Sequence, residues 1–122
     1  MKIKTSDLEG LPRSHILTKP AGVRVRVTFR GEPIADTRNA LEMKEGDYPA
    51  VYYIPRRDVK MERLQRTAHS THCPYKGQAA YFSLAGGPAN AVWTYEQPYD
   101  GIPEIKDLLA FYPDKVDEIT VG

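Results

Sequence analysis

The sequence predicts a mostly β fold: a single domain built as a bent antiparallel sheet, or as a barrel or tent-like arrangement, with one or two short helices. Two observations carry this prediction. Short runs of alternating or β-branched residues recur at nearly even spacing along the chain. Ten prolines and nine glycines among the 122 residues end these runs before long helices can form. The length is that of one domain.

The first half of the chain contains the clearest strand pattern. Apolar side chains alternate with polar ones from Val23 to Phe29, as in an antiparallel strand with one buried face. The turn residues Arg30-Gly31-Glu32-Pro33 follow, so residues 23–37 are predicted to form a hairpin. A third short strand is predicted over residues 39–44.

The two termini lack a comparable pattern. Residues 1–22 show no strong periodicity and are predicted to form a peripheral N-terminal arm, which leaves residues 23–117 as the domain. Residues 118–122 are predicted to be a C-terminal tail, and the run 116–121 fits either a tail or an edge strand.

The second half of the chain alternates strand patterns with polar segments. β-Branched and aromatic residues predict strands over residues 50–54, 79–84, 91–95 and 110–112. Gly86-Gly87-Pro88 separates the second of these strands from the third, which predicts a second hairpin. Residues 56–64 and 105–109 are predicted to be short helical segments, and the polar residues 65–78 a loop.

Charge and composition exclude several classes of protein. The 17 basic and 16 acidic side chains give a net charge of +1, which predicts no general attraction to nucleic acid or anionic membranes. The locally basic segment 56–66 is predicted to be a solvated surface. The sequence has neither an apolar run of transmembrane length nor a secretory signal pattern. Cys73 is the one cysteine, which fits a reducing, cytoplasmic setting. Exposed strand edges make a homodimer a further expectation.

The densest group of reactive side chains lies at residues 69–77. His69, His72 and Cys73 are zinc-ligand types, but a structural zinc site needs four ligands, and no metal site is predicted. A second interpretation makes Cys73 a nucleophile, with a histidine as its base and Lys76 favouring the thiolate. The third interpretation is a turn in which Cys73 is a small buried side chain. It is favoured because free cysteines are usually buried.

Aromatic residues form the second group of candidates. Aliphatic residues and phenylalanine make up only about a fifth of the chain, whereas it contains eight tyrosines. Trp93 and Tyr95 face the same side of one predicted strand, and Tyr53 and Tyr81 lie on neighbouring ones. Such a patch predicts either a pocket for a planar or apolar ligand, or core packing with hydroxyl groups at the surface.

The order and spacing of these residues resemble a known family. The pattern consists of the motif Thr71-His72-Cys73-Pro74-Tyr75-Lys76-Gly77 and, around it, Ala35-Asp36-Thr37, Glu45, residues 52–59, Tyr81, residues 91–95 with Trp93, Pro98 and residues 110–112. It resembles the family catalogued as domain of unknown function 427, over roughly residues 23–117. Phe82 departs from the family pattern, which has tryptophan at that position.

The resemblance implies a small, mostly β domain whose recurring residues surround a common pocket. Lys76 is expected to offer positive charge to an anionic or carbonyl group, and Glu45 to accept a hydrogen bond. Cys73 is expected to be a nucleophile or a structural residue. The residues expected to bind the ligand are Tyr53, Cys73, Lys76, Tyr81, Trp93 and Tyr95, and the catalytic candidates are Cys73, Lys76 and Glu45.

Two alternatives stand beside a small-molecule-binding domain. The family is also labelled as nucleotidyl transferases, a reaction that needs a divalent metal and at least two converging carboxylates. The sequence lacks the paired acidic motif, and its acidic candidates are scattered at Asp36, Glu45, Asp58 and Glu96. The other alternative is a structural or protein-interaction module, in which Trp93 and Tyr95 are buried. The sequence identifies no cofactor.

Overall fold

The computed structural model describes residues 15–122, which form three antiparallel sheets. The strands in this range are β1 (Ile16–Pro20), β2 (Val25–Phe29), β3 (Glu32–Thr37), β4 (Leu41–Glu45), β5 (Val51–Tyr53), β6 (Leu64–Cys73), β7 (Gly77–Leu84), β8 (Val92–Thr94), β9 (Leu109–Phe111) and β10 (Glu118–Val121). Short 3-10 helices connect some of them, at Arg56–Asp58, Met61–Arg63, Pro103–Ile105 and Pro113–Lys115. The prediction of a mostly β fold is confirmed.

The predicted N-terminal hairpin is present as β2 and β3. The two strands pair antiparallel, with a register shift after Val27. The turn between them has positive φ at Arg30 and Gly31, as a two-residue turn of type I′ requires. Strand β10 pairs antiparallel with the other side of β2, so residues 118–121 are an edge strand of this sheet rather than a tail.

The second sheet has the order β1-β4-β5 and includes part of the predicted arm. Strand β1 pairs with β4 along its whole length, and its first residue, Ile16, is buried. The prediction of a peripheral arm is therefore wrong for residues 15–22. Ile16 is the only fully buried side chain of β1, so the strand shows no apolar alternation in the sequence. Residues 1–14 of the predicted arm lie outside the described residues.

The third sheet has the order β6-β7-β8-β9 and corrects a second prediction. Residues 65–78, predicted to be a loop, are mostly strand: β6 is ten residues long and pairs antiparallel with β7. A register shift between Arg66 and Ser70 marks a bulge in it. Because β6 is an edge strand with exposed side chains on both faces, it lacks the alternation by which strands are recognised. The predicted second hairpin is present as β7 and β8.

The connections between the sheets include the two segments that were predicted to be helical. Residues 56–64 contain two 3-10 helices, as expected, but the helix predicted over 105–109 is wrong, because the 3-10 helix there ends at Ile105 and β9 begins at Leu109. A bridge between Ile54 and Leu109 joins the β1-β4-β5 sheet to β9. Among the described residues none of the sheets closes on itself, so the barrel alternative is not confirmed. No helix in residues 15–122 is long and apolar enough to cross a membrane.

Two hydrophobic clusters fill the space among the sheets. The aliphatic cluster lies largely against the β10-β2-β3 sheet, and its members include Val25, Val27, Ile34, Ile54, Leu84, Val92, Leu109 and Phe111. The tyrosine cluster lies near β1, β4 and the ends of β7 and β8, and its members include Ile16, Met43, Tyr53, Tyr81, Tyr95, Ile102 and Ile105. The candidate site lies beside the tyrosine cluster.

Candidate functional site

A groove of about 610 Å³ opens beside the tyrosine cluster, where β4, β5, β8 and the turn between β6 and β7 meet. Among residues 15–122, Glu45 and Lys76 are the charged side chains of its lining, and the other lining residues are aromatic or apolar, including methionine and proline. The side chains on which its chemistry depends are Glu45, Tyr48, Tyr53, Lys76, Trp93 and Tyr112. A concave, largely apolar surface with few polar groups is typical of small-molecule sites.

The turn after β6 determines where Lys76 lies. Cys73 pairs with Gly77 across the turn, so Lys76 stands at the tip of the β6–β7 hairpin. Gly77 has a φ of +113°, and a Cβ atom there would approach the carbonyl oxygen of Gln97 to 3.3 Å. The amide of Tyr99 donates a hydrogen bond to the carbonyl oxygen of Lys76 at 3.1 Å. The backbone of the motif therefore directs Lys76 across the groove, toward the end of β4.

Lys76 and Glu45 form an ion pair in the groove wall. The Lys76 ammonium donates a hydrogen bond to Oε1 of Glu45 at 2.8 Å, and the lysine side chain is only 12% exposed. The other carboxylate oxygen lies 3.7 Å from Nε2 of His15. Lys76 Nζ also lies 5.8 Å from the ring centroid of Tyr95. Because Glu45 balances its charge, Lys76 offers the groove a hydrogen-bond donor next to an acceptor rather than an isolated cation.

Trp93 forms the aromatic wall together with two tyrosines. Its indole Nε1 donates a hydrogen bond to the hydroxyl of Tyr53 at 3.3 Å, and its ring lies 4.5 Å from that of Tyr112. Burial raises the pKa of the Tyr53 phenol well above its ordinary value. Burial and a hydrogen bond with Tyr81 raise the pKa of Tyr112 to about 12. Both phenols are therefore protonated at neutral pH and act as hydrogen-bonding groups rather than as bases.

Three of the predicted ligand-binding residues lie behind this wall, outside the lining of the groove. Tyr81 and Tyr95 are buried in the tyrosine cluster, where burial raises the pKa of Tyr95. The hydroxyl groups of Tyr81 and Thr71 lie 2.8 Å apart. Cys73 is partly buried and packs against the same cluster. Tyr53, Lys76, Trp93 and Glu45 are the predicted residues that the groove brings together.

The two histidines of residues 69–77 face a different surface. His69 lies on the ring of Tyr81, with centroids 4.6 Å apart, and His72 lies 6.1 Å from the ring of Tyr99. Both line a polar cleft of about 650 Å³ that also contains Arg66 and Glu96. Across residues 15–122, no three His, Cys, Asp or Glu side chains are grouped as metal ligands.

The four acidic candidates are taken up in separate side-chain contacts, although Asp36 and Asp58 line the same surface pocket. Each is engaged by a different partner, in the pairs Asp36–Arg24, Glu45–Lys76, Asp58–Thr37 and Glu96–Arg66. Nucleotidyl transfer needs at least two carboxylates on one metal ion. The arrangement of these four pairs gives that alternative no support.

Two lining tyrosines were missed as site residues by the sequence reasoning. Tyr112 reaches the groove because Trp93 pairs with Ala110, and residues two apart on a strand face the same side. Only the pairing of β8 with β9, not the local pattern, reveals this. Tyr48 lies on the loop after β4 and is 72% exposed at the rim of the groove.

Comparison with known families confirms the family resemblance seen in the sequence. The family described as Domain of unknown function (DUF427), labelled NTP_transf_9, matches residues 17–122. The chain belongs to this family. No curated protein matches the chain significantly. The DUF427 match begins within β1 and includes β10, the two strands that the narrower resemblance over residues 23–117 had left outside the domain.

Proposed function

We propose that this DUF427 protein binds a small organic molecule in the groove, with a ring against Trp93 and a polar group on the Lys76–Glu45 pair. The observation that carries the proposal is that this pair is the charged feature of an otherwise apolar and aromatic lining. The ammonium of Lys76 has three donors and its bond to Glu45 uses one of them, so the pair can also bind and orient a polar group in the groove.

The pair selects the chemistry of that polar group. Because Glu45 balances the charge of Lys76, an anion would meet a carboxylate beside the ammonium and gain less than it would from an isolated lysine. An uncharged carboxamide fits better, since its carbonyl oxygen accepts from Lys76 while its N–H donates to Glu45. Of the anionic and carbonyl groups that the sequence suggested, the pair therefore favours the carbonyl, in the form of an aryl amide.

The proposal is one of binding rather than of catalysis. The phenols of Tyr53 and Tyr112 are held in their protonated form, so they orient a ligand but do not accept its protons at neutral pH. The thiol of Cys73 belongs to the tyrosine cluster and not to the groove lining. A cytoplasmic location, a homodimer and the lack of nucleic-acid binding stay predictions from the sequence.

Benzamide is a direct probe of the groove. Trp93 is the only tryptophan in the chain, so its indole N–H gives a single, easily assigned peak in a nitrogen–proton correlation spectrum. We expect benzamide to shift that peak saturably. The Lys76→Met variant should weaken binding about tenfold, the value of one charge-assisted hydrogen bond.

Lys19→Met is the matched control, because Lys19 pairs with Glu42 at 3.5 Å on the exposed surface, away from the groove. It should bind benzamide as the unmodified protein does. The proposal is wrong if benzamide leaves the Trp93 peak unmoved, or if Lys76→Met binds it undiminished while keeping the folded spectrum.

A further inference from the structure

Beyond Trp93 lies a second cavity, of about 260 Å³, within the aliphatic cluster. Strands β2 and β10 form one side of it and strands β5 and β9 the other. The side chains that define it are Val25, Val27, Ile54, Phe111, Ile119 and Val121. Val25 and Val27 are fully buried, whereas Val121 is 42% exposed, so the cavity extends from the core to the edge of the β10 strand.

This apolar cavity adjoins the groove. Ala50, Val51, Trp93 and Pro113 line both. The indole of Trp93 therefore lies between the groove, which contains an ion pair, and a cavity to which the described residues contribute no charged side chain. For a molecule that packs against Trp93 in the groove, the apolar cavity lies directly beyond the Trp93 ring.

The polarity of the lining determines what can occupy the apolar cavity. Among residues 15–122, Tyr52 and Trp93 are the lining residues with a polar side-chain group. Both groups already have partners, because the Tyr52 hydroxyl donates to Glu42 at 3.2 Å and the Trp93 indole N–H donates to the Tyr53 hydroxyl at 3.3 Å. A buried water needs two to four polar partners, and apolar cavities without them stay dry. Cavities of about 150 Å³ with such a lining bind benzene, so this one has room for a short alkyl group or a ring.

We propose that the apolar cavity binds the hydrophobic tail of the molecule whose amide meets Lys76 and Glu45. The inference rests on the proposed function, and it defines the ligand class: an aryl amide with an alkyl or aryl extension opposite the amide. The ring lies on Trp93 in the groove, and the extension passes Val51 and Pro113 into the space lined by Val27 and Ile119.

A pair of probes with the same head group tests the cavity. Benzamide fills the groove alone, and 4-butylbenzamide adds a chain long enough to pass Trp93. Each methylene group moved from water into an apolar site raises affinity about fourfold. We expect 4-butylbenzamide to bind at least tenfold more tightly than benzamide, measured by the shift of the Trp93 indole peak.

Ile119→Phe, which fills the cavity from the partly buried face of β10, should remove that gain and leave benzamide binding unchanged. Thr120→Phe is the matched control, because Thr120 is the next residue of the same strand, faces the other side and lies outside the lining. It should keep the gain. If Ile119→Phe fails to fold, Val121→Phe tests the same space from the exposed end of β10.

The outcomes separate the two proposals. If benzamide binds with the expected dependence on Lys76 but the butyl group adds nothing, the cavity is a packing void and this inference is wrong, while the proposed function stands. The inference is also wrong if Ile119→Phe, while folded, keeps the tenfold gain. If neither probe moves the Trp93 peak, the proposed function fails and the tail site fails with it.

Discussion

The two hydrophobic clusters of the molecule are built from different residues and are suited to different tasks. The aliphatic cluster consists of Val, Ile, Leu, Ala and Phe, which add to stability through burial alone. The tyrosine cluster buries three phenols and so fills comparable space with side chains that also carry hydrogen-bonding groups. A chain poor in aliphatic residues can thus complete its core and, at the same place, support a polar site.

Trp93 connects the two clusters, because it packs against the tyrosine cluster and also lines the apolar cavity of the aliphatic one. Its environment therefore differs on its two sides, with the Tyr53 hydroxyl on one and Val27 and Phe111 beyond the other. If the clusters are divided in this way, core substitutions far from Trp93 change stability without changing binding. Substitutions of the phenols affect both.

The largest expected effect is on stability, from Leu84→Ala in the aliphatic cluster. Leu84 is 2% exposed and lies outside the linings of both the groove and the apolar cavity. Truncating a buried leucine leaves a cavity and lowers the free energy of unfolding by about 2–5 kcal/mol. Urea denaturation measures the loss, and the folded variant should bind benzamide normally.

Leu17→Ala is the control for this prediction, because Leu17 is 68% exposed on β1 and its truncation should cost less than about 0.5 kcal/mol. A loss of benzamide affinity in folded Leu84→Ala would show that the two clusters are not independent.

Tyr53→Phe should have a smaller effect on stability but a clear one on the site. The side chain keeps its aromatic ring and almost its full size, and the change removes only the hydroxyl that accepts the Trp93 hydrogen bond. Leaving the indole N–H without that partner costs about 1–2 kcal/mol. The Trp93 peak should move even without benzamide. Tyr48→Phe, at a tyrosine that is 72% exposed, is the control and should change neither quantity. An unmoved Trp93 peak in Tyr53→Phe contradicts the hydrogen bond.

The parts of the fold that could be predicted are those in which one strand face is buried and the other exposed. The alternation from Val23 to Phe29 identifies β2, and the turn chemistry of Arg30-Gly31 identifies the hairpin. Strands β1 and β6 were not predicted, because they are edge strands with few buried side chains. Their sequences therefore lack the alternation of apolar and polar residues that identifies a strand. Their existence depends on pairing with β4 and β7, which local pattern does not encode.

The candidate site was predictable to a similar, partial extent. Lys76, Trp93 and Tyr53 could be grouped because the motif and two strand patterns placed them on neighbouring elements. The pairing of Lys76 with Glu45 could not be foreseen, since 31 residues separate them and only the hairpin geometry joins them. That pairing favours a carbonyl group, as in an uncharged amide, over the anion that the sequence left equally open. The aromatic face continues to Tyr112 only through the register of β8 and β9.

The smallest expected effect concerns the polar cleft, and it changes with pH. The guanidinium of Arg66 donates two hydrogen bonds to Glu96, at 2.8 and 2.7 Å, and this contact lowers the pKa of Glu96 below its ordinary value of 4.5, although burial opposes it. Because the pKa is lower in the folded state, the pair stabilises the fold above about pH 4.5, and this contribution is lost as the pH falls through the folded pKa. Both partners are partly exposed, so its value is below about 1 kcal/mol.

Arg66→Ala should therefore lower the free energy of unfolding by less than about 1 kcal/mol at neutral pH, and by less still in acid, as measured by urea denaturation. Glu96→Gln supplies the control. In that background Arg66→Ala removes no contact with a carboxylate, so it should lower the free energy of unfolding by the same small amount at every pH. An equal loss for Arg66→Ala at neutral and acidic pH would mean that the arginine acts through packing on Phe82, whose ring centroid lies 5.8 Å from its guanidinium, rather than through its charge. Benzamide binding should be the same in all three variants, because neither residue lines the groove beside the tyrosine cluster.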